Sequence, residues 1–335
     1  MNLRLTLMQQ SNKAGCYMIK KKQIISLVIL LMINIPVVFA GVTAGFEFLR
    51  TDFSPRSSSM SGANITLRDD ITTMFVNPAG MADCEPKQFS INYTNHILDI
   101  GGGSIAYSHQ FPVIGAINFG INYFDYGNFE ETDNNAIKTG NQFSVIDFAF
   151  GIGIARHLDQ DFTYGINLKY AYSKIENYNA SAMALDFGLI YDAPFQENLR
   201  FAVTLLNLGA NFKYYGDLQE SLPLSLNIGA SKKLAHLPLE IALSFQNLTD
   251  TAEDMSDYLK RFSIGGEFKL SEPLRLRLGY SHRLHESLAT HTEEKFGGIT
   301  AGIGFIWKTL RFDYSYSNQS SLGSIQRFGI MGRLW

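Results

Sequence analysis

Residues 162–173, FTYGINLKYAYS, alternate without a break between large apolar side chains and small or polar ones. The large side chains are Phe162, Tyr164, Ile166, Leu168, Tyr170 and Tyr172. Successive side chains of a β-strand point to opposite faces, so this alternation predicts a strand with one apolar and one polar face. A helix would place neither set of side chains on a single face.

The same alternation recurs along residues 88–335 and divides them into about fourteen strands. Short turns, such as the one at Ser271–Glu272, alternate with longer connections. An even strand number with short turns at one end and longer loops at the other is typical of bacterial outer-membrane barrels. We therefore predict an all-β fold, a transmembrane antiparallel β-barrel of about 14 strands. The expected longer connections are 126–141, 175–180, 208–222, 248–259, 283–295 and 318–324.

The composition supports this class and excludes others. Charged residues make up 18% of the 335 residues, against about 25% in an average soluble domain. The formal net charge of -3 leaves no basic surplus, so no nucleic-acid partner is expected. Two cysteines are too few for a disulfide framework or a cysteine-rich zinc site. A soluble β-sandwich or propeller is the alternative, but it would not explain the alternating turn lengths.

The N-terminal region has the pattern of an export signal. Three consecutive lysines, Lys20 to Lys22, precede the apolar run IISLVILLMINIPVVF, which ends at the small residue Ala40. A basic segment, an apolar segment and a small residue at the cut are typical of a cleaved signal peptide. We therefore predict a signal peptide over 18–40, cleavage after Ala40, and a final location in the outer membrane, in contact with its lipid.

Two further points concern this region. Met18 lies two residues before the lysines, so residues 1–17 are predicted to be a misannotated upstream segment. A transmembrane helix is the alternative to the signal peptide. The apolar run is short for a membrane span, however, and it contains Asn34 and Pro36.

Charged side chains occupy the polar positions of many predicted strands. They are expected to line the lumen, because an arginine or lysine facing lipid costs about 2–4 kcal/mol at the midplane. Both signs occur on adjacent strands, which favours salt bridges across the lumen over an ion-selective pore, since selective pores use rings of one sign. The candidate lumen charges are Lys169, Arg200, Glu240, Glu267, Arg275, Arg277, Arg311 and Asp313.

Residues that would carry chemistry are few. No G-x-S-x-G nucleophile motif occurs, so we predict a protein that is not an enzyme, with no catalytic residues and no cofactor. His282, His285 and His291 are weak candidates for a divalent metal site, since imidazoles are common metal ligands. Ordinary loop histidines are the simpler interpretation. The pair Asp69-Asp70 is expected to be a polar turn.

The most specific stretch is 46–81, FEFLRTDFSPRSSSMSGANITLRDDITTMFVNPAGM. Its Phe48-Leu49 pair, the Ser/Arg run, the Asp pair and the motif Asn77-Pro78-Ala79 resemble the start of the PorV/PorQ family. That family belongs to the FadL-like group of fourteen-stranded outer-membrane barrels. Asn-Pro is a turn starter. Residues 41–87 are therefore expected to form an N-terminal plug that ends before the barrel of 88–335.

The resemblance implies a non-enzymatic component of the type IX protein secretion system. Segments 124–133, 174–191 and 221–245 are more similar to the PorQ branch than to PorV. The resemblance implies help with secretion or surface attachment of cargo proteins. It also implies contact through the outer loops with secreted cargo or with a surface attachment-complex protein similar to PorZ.

The alternative function is a FadL-like outer-membrane channel for small hydrophobic compounds. A strand kink near Gly115 or Gly120, or an apolar patch inside the lumen, would favour the channel. A plugged lumen with large ordered outer loops would favour the secretion component.

Overall fold

The computed structural model describes residues 45–133, 135–216, 220–252, 254–288 and 296–334. These residues form a closed barrel of fourteen antiparallel strands, which confirms the predicted fold class. Each strand pairs with its sequence neighbours, and the first closes the barrel on the last. The strands are β1 (Gln88–Asn95), β2 (Gly101–Phe111), β3 (Gly115–Thr132), β4 (Lys138–His157), β5 (Phe162–Ile175), β6 (Tyr178–Asp192), β7 (Leu199–Lys213), β8 (Ser225–Lys233), β9 (Leu239–Phe245), β10 (Phe262–Lys269), β11 (Leu274–Ser281), β12 (Ile299–Trp307), β13 (Leu310–Asn318) and β14 (Ser324–Arg333).

Short helical segments precede the barrel and lie in its loops. The α-helices are α1 (Pro55–Ser58), α2 (Met255–Lys260) and α3 (His282–Leu288). The 3-10 segments are Glu47–Arg50, Ile71–Phe75, Pro78–Asp83, Ile97–Asp99 and Ser320–Leu322. None of the helices within the described ranges is long and apolar enough to span a membrane.

The two faces of each strand differ as the alternation predicts. In β1, Ser90, Asn92 and Thr94 are buried toward the lumen, whereas Ile91 and Tyr93 are 52% and 55% exposed on the outside. An apolar outer face around a closed barrel suits lipid, because closure leaves no unpaired backbone groups at an edge.

The strand connections define two ends. At one end, called here the short-turn end, no connection between strands exceeds six residues. The opposite, long-loop end carries the connections that include α2 and α3. Only the connections after β7, β9 and β11 at this end exceed six residues, so the expected alternation of turn lengths holds for part of the barrel, and two of the long connections were predicted wrongly. Residues 126–141 largely continue β3 and β4, and 175–180 shrink to a two-residue turn at 176–177.

The error over 126–141 has a physical reason. Phe129 and Phe143 pair directly across the hairpin and stack with ring centroids 5.7 Å apart, which stabilises the extension of β3 and β4. β3 and β4 contain 18 and 20 residues. Because about 9–11 residues suffice to cross a bilayer, the hairpin continues beyond it.

Residues 45–87, called here the plug, run through the lumen from the long-loop end to the short-turn end. The amide of Gly45 donates to the carbonyl of Ser221 in the β7–β8 connection, and Lys87 leads into β1. Glycines on the inner wall make room for this segment: a Cβ on Gly279 would lie 2.3 Å from the carbonyl carbon of Met60. The predicted upstream segment 1–17, the signal peptide 18–40 and its cleavage lie outside the described residues, as do residues 41–44.

Candidate functional site

An ionic ring joins the plug to the wall in the half of the lumen nearer the short-turn end. Arginines and carboxylates alternate around it, so every member contacts two groups of opposite charge. Two members belong to the plug, and the others lie on β10, β11 and β13. In order, the ring is Arg56, Glu267, Arg277, Asp313, Arg311 and Asp70.

The plug contributes Arg56 and Asp70. Arg56 Nε and Nη2 donate to the two carboxylate oxygens of Glu267, each at 3.0 Å. Asp70 Oδ2 accepts from Arg311 Nη2 at 2.5 Å and from Arg56 Nη1 at 3.3 Å. Burial alone would raise the pKa of Asp70, but Arg311 and Arg56 hold it well below the usual range. Asp70 is therefore a buried anion that fixes the plug.

The wall completes the ring. Arg277 donates from Nε to Glu267 at 2.5 Å and from Nη1 to Asp313 at 2.6 Å. Arg311 Nε donates to the other oxygen of Asp313 at 2.6 Å. Removing one partner of a buried pair leaves an uncompensated charge and costs about 3–5 kcal/mol. The ring therefore requires all of its members.

Four of the predicted lumen charges are thus ring members, whereas Lys169 lies in a second network. Its Nζ is 2.9 Å from Asp186 Oδ1, and the two side chains are 1% and 0% exposed. Lys169 also donates to Asn207 Oδ1, and the Asn207 amide donates to Asp186. Asn207 has a positive φ of 62° at a register shift in the β6–β7 pairing. This network stabilises a β-bulge in the wall.

The three remaining predicted charges lie toward the short-turn end. Arg200 is 3.3 Å from Asp192 and 3.6 Å from Glu240. Arg275 Nη1 donates to the main-chain oxygens of the β10–β11 turn, including Ser271 O at 2.6 Å. The mixed charges of the lumen therefore form local pairs and caps, and Arg56 and Asp70 connect them to the plug.

Sequence reasoning missed these two plug residues. The pair Asp69-Asp70 was expected to be a polar turn, which fits Asp69 with its 68% exposed side chain but is wrong for the fully buried Asp70. The signal that could have revealed them was the balance of charges among the candidate lumen residues. A plug expected to enter a lumen with more basic than acidic candidates must bring carboxylates with it.

The motif Asn77-Pro78-Ala79 starts the last helical turn of the plug. Asn77 Oδ1 accepts from the amide of Ala79 at 3.0 Å, and Pro78 occupies the first position of the turn. The side-chain amide of Asn77 donates to Ile65 O, which joins two parts of the plug. A Cβ on Gly165 of β5 would lie 2.3 Å from the carbonyl carbon of Pro78, so the motif rests directly on the wall.

An apolar niche lies on the inner face of β4, β5 and β6 toward the long-loop end. Its wall consists of the buried alanines Ala149, Ala171, Ala180, Ala182 and Ala184. Phe46 and Phe48 of the plug pack into it with ring centroids 6.4 Å apart. Phe53 packs beside them against Phe124 of β3, at 4.9 Å. Aromatic side chains of the plug therefore fill an apolar site built by the wall.

A cavity of about 360 Å³ lies between the plug and the long-loop end. Ile65 and Phe75 of the plug line one side, and Leu284 and Gln319 of the long-loop connections line the other. Most of the residues that line it carry polar side chains, in contrast to the niche. Among the polar lining residues are Asn64, Asn227, Gln246, Ser281, Thr300 and Arg327.

The histidine candidates do not converge on a metal site. His282 and His285 lie on α3, not in the expected irregular loop. His282 stacks on Phe262 at 5.2 Å, and His285 Nδ1 donates to Gly297 O at 3.0 Å. His291 lies outside the described residues. In the part of the chain that is described, no group of three or more His, Cys, Asp or Glu side chains could hold a metal ion.

Comparison with known proteins gives a match in structure alone. No family model and no curated protein matches the sequence. The barrel is similar to the Ralstonia pickettii toluene transporter TbuX over 84% of this chain and 98% of that one, with 12% identity and a TM-score of 0.54. A monoaromatic hydrocarbon channel, CymD, covers 87% and 99% at 9% identity, with a TM-score of 0.55. The Pseudomonas putida toluene transporter TodX covers 82% and 95% at 12% identity, with a TM-score of 0.51.

At these identities the similarity shows the fold. The chain has the FadL-like fold, a fourteen-stranded outer-membrane barrel with an N-terminal segment in its lumen. The fold that the FadL-like resemblance implies is therefore confirmed, and a closed barrel with an apolar outer face is the fold of outer-membrane proteins. The narrower PorV/PorQ resemblance gains no support, since neither comparison of sequence returns a match.

Proposed function

We propose that the protein is an outer-membrane channel of the FadL-like type for small compounds, closed by its own plug. The observation that carries this proposal is the apolar niche filled by Phe46 and Phe48. A niche walled by alanines and occupied by phenyl rings fits a hydrophobic compound of similar size once the rings move away. The similar structures carry the names of toluene and monoaromatic hydrocarbon transporters, in agreement with such a ligand.

The backbone at the start of the plug supports movement there. Phe46 has a positive φ of 57°, a left-handed conformation that is unfavourable for a residue with a side chain. The hydrogen bond from Gly45 to Ser221 and the packing in the niche hold it. Release of residues 45–53 would relieve this strain and start the movement of the plug, and passage through the lumen also requires the later part of the plug to leave the ionic ring.

Of the two features expected of a channel, a strand kink and an apolar patch in the lumen, one is present. The pairing of β2 with β3 is unbroken from Gly101 and Asp125 to Phe111 and Gly115, so the sheet has no break between these strands near Gly115 or Gly120. The apolar patch expected of a channel is present inside the lumen. Passage through the lumen, with the plug displaced, is the route that these observations favour.

The proposal is tested by toluene uptake in Gram-negative cells that express the protein. Cells with the wild-type barrel should take up toluene several-fold faster than cells with an empty vector. The double variant F46A/F48A should take it up faster still, because the niche is then open. A matched control is F129A, which removes an aromatic ring from the β3–β4 hairpin outside the lumen. Uptake at the vector level by correctly inserted wild-type barrels would reject the channel.

A component of the type IX secretion system is the second candidate. The plug held by ion pairs favours it, as does the β3–β4 hairpin, whose residues beyond Asp125 and before Val145 have no partner strand in β2 or β5. Such edges can pair with an added strand of a secreted cargo or an attachment-complex protein similar to PorZ. Deletion of the gene followed by proteomics of the culture medium and cell surface tests this function. Normal secretion and anchoring of cargo would reject it.

A further inference from the structure

Arg327 of β14 points into the polar cavity without a carboxylate partner. The residue is only 6% exposed, and no ion pair joins it to any of the described residues. Its Nε donates to the main-chain oxygen of Asp52 at 2.9 Å, and its Nη1 donates weakly to Ser317 Oγ at 3.4 Å. Its Nη2 has no hydrogen-bond partner within the described residues. By contrast, the buried Arg56 and Arg277 contact carboxylates of the ionic ring, and the buried Arg261 of the β9–β10 connection donates to three main-chain oxygens.

Further polar atoms at the cavity are also unpartnered. His96 Nδ1 and Asn64 Oδ1 are buried, line the cavity and have no hydrogen-bond partner in the described part of the chain. Buried polar groups in proteins are nearly always hydrogen-bonded, so each such group indicates a missing partner. Both residues belong to the lining that Arg327 shares, so this cavity wall has hydrogen-bonding capacity that the described residues do not use.

The charges around the cavity define the ligand further. Arg50 also lines it, but Asp250 neutralises Arg50 through two hydrogen bonds, at 2.6 and 3.2 Å. The carboxylate of Asp52 is occupied by the Ser54 amide and the Ser57 hydroxyl. Arg327 donates to the main-chain oxygen of Asp52 and not to its carboxylate, but that carboxylate lies close enough to interact with Arg327 electrostatically. The site therefore suits at most a single negative charge and disfavours a dianion such as phosphate. Because a guanidinium binds a planar carboxylate in bidentate geometry, a carboxylate is the best match.

We propose that this cavity binds a small monocarboxylate that also carries hydroxyl or amide groups, with the carboxylate on Arg327. Its other polar groups would contact the amides and hydroxyls that line the cavity, such as Asn227, Gln246 and Thr300. A volume of about 360 Å³ suits such a molecule, at the lower end of ordinary ligand sites. The inference that this ligand is transported rests on the proposed channel function, whereas the inference that it binds does not. The site thus differs from the apolar niche in the chemistry that it accepts.

Calorimetric titration of the full-length barrel in detergent tests the proposal. The probes are gluconate and gluconamide, which share their hydroxyl groups but differ in charge. Gluconate should bind the wild-type protein about 10- to 100-fold more tightly than gluconamide, as expected for a charge-assisted hydrogen bond. R327Q should lose this preference. Equal binding of the two probes, or no binding of gluconate at millimolar concentration, would overturn the proposal.

Controls separate the site from general effects on charge and folding. R275Q removes another inward-facing arginine with no carboxylate partner, but at the short-turn end, so gluconate should bind this variant as it binds the wild type. If R327Q does not fold, R327K keeps the charge without the planar fork and should bind gluconate at intermediate strength. Toluene uptake by cells that express the same proteins is measured as a separate test of the channel function. No gluconate binding by the wild-type protein together with normal toluene uptake rejects the site alone, and gluconate binding by the wild-type protein without toluene uptake rejects the channel alone.

Discussion

Asp69 and Asp70 are adjacent in the chain but have opposite surroundings. Asp69 Oδ1 lies 3.1 Å from Arg56 Nη1 with its side chain 68% exposed, whereas Asp70 is completely buried between Arg56 and Arg311. Exposed ion pairs contribute about 0–1 kcal/mol, whereas removal of one partner from a buried pair costs several times more. This difference allows a matched test of the ionic ring.

We expect D70N to weaken docking of the plug by about 3–5 kcal/mol, because Arg56 and Arg311 lose a buried counter-charge. D69N should change it by about 1 kcal/mol or less. Limited proteolysis of the purified barrel measures the exposure of the plug. Equal protection of the plug in D69N and D70N would contradict the assignment of Asp70 to the ring.

The same residue predicts how plug docking depends on pH. The pKa of Asp70 is lowered in the folded protein from its ordinary value of 3.8, so its contribution is complete above pH about 4. The contribution is lost as the pH falls further, because the undocked plug then binds more protons than the docked plug. Proteolysis by an acid-tolerant protease should show release of the plug in strong acid. D70N should lack the part of the acid-induced release that comes from protonation of Asp70. The same pH profile for D70N and the wild type would contradict this role of Asp70.

At the scale of elements, Cys84 reports on the end of the plug. It is the free cysteine of the described residues, it is 3% exposed, and burial raises the pKa of its thiol. Because the thiolate is the reactive form, maleimide should label Cys84 very slowly in the native barrel and much faster in D70N. Rapid labelling of the native protein would show that the plug is not docked as described.

The bulge of β7 gives a second prediction for an element. Asn207 adopts a positive φ of 62° and its side chain joins Lys169 to Pro223 O. N207G keeps the backbone conformation and loses the side-chain contacts, whereas N207A loses both. We therefore expect N207A to lower the unfolding midpoint more than N207G, by about 1 kcal/mol in stability. Heat-modifiable gel migration measures the midpoint, and the reverse order would contradict the role of the backbone.

The strands were predictable from the sequence, whereas the lumen was only partly so. Period-two alternation, as in 162–173, marks a strand locally, and β1 begins and ends where it was expected. The alternation shows which side chains face the lumen but not which of them meet. The ring closes through Arg56 and Asp70, which are far in sequence from Glu267 and Arg311. Arg327 likewise has the same pattern as its paired neighbours, and only the fold shows that it lacks a carboxylate.

For the whole molecule, the central claim is that compounds pass only when the plug moves. Ser58 Oγ of the plug and Ser315 Oγ of β13 lie 2.8 Å apart, so a cysteine pair at these positions can form a disulfide. Toluene uptake is measured with S58C/S315C before and after reduction, with each single variant as control. We predict uptake at the vector level when the disulfide is formed and wild-type uptake after reduction. Uptake at the wild-type rate through the oxidised, locked barrel would contradict the claim.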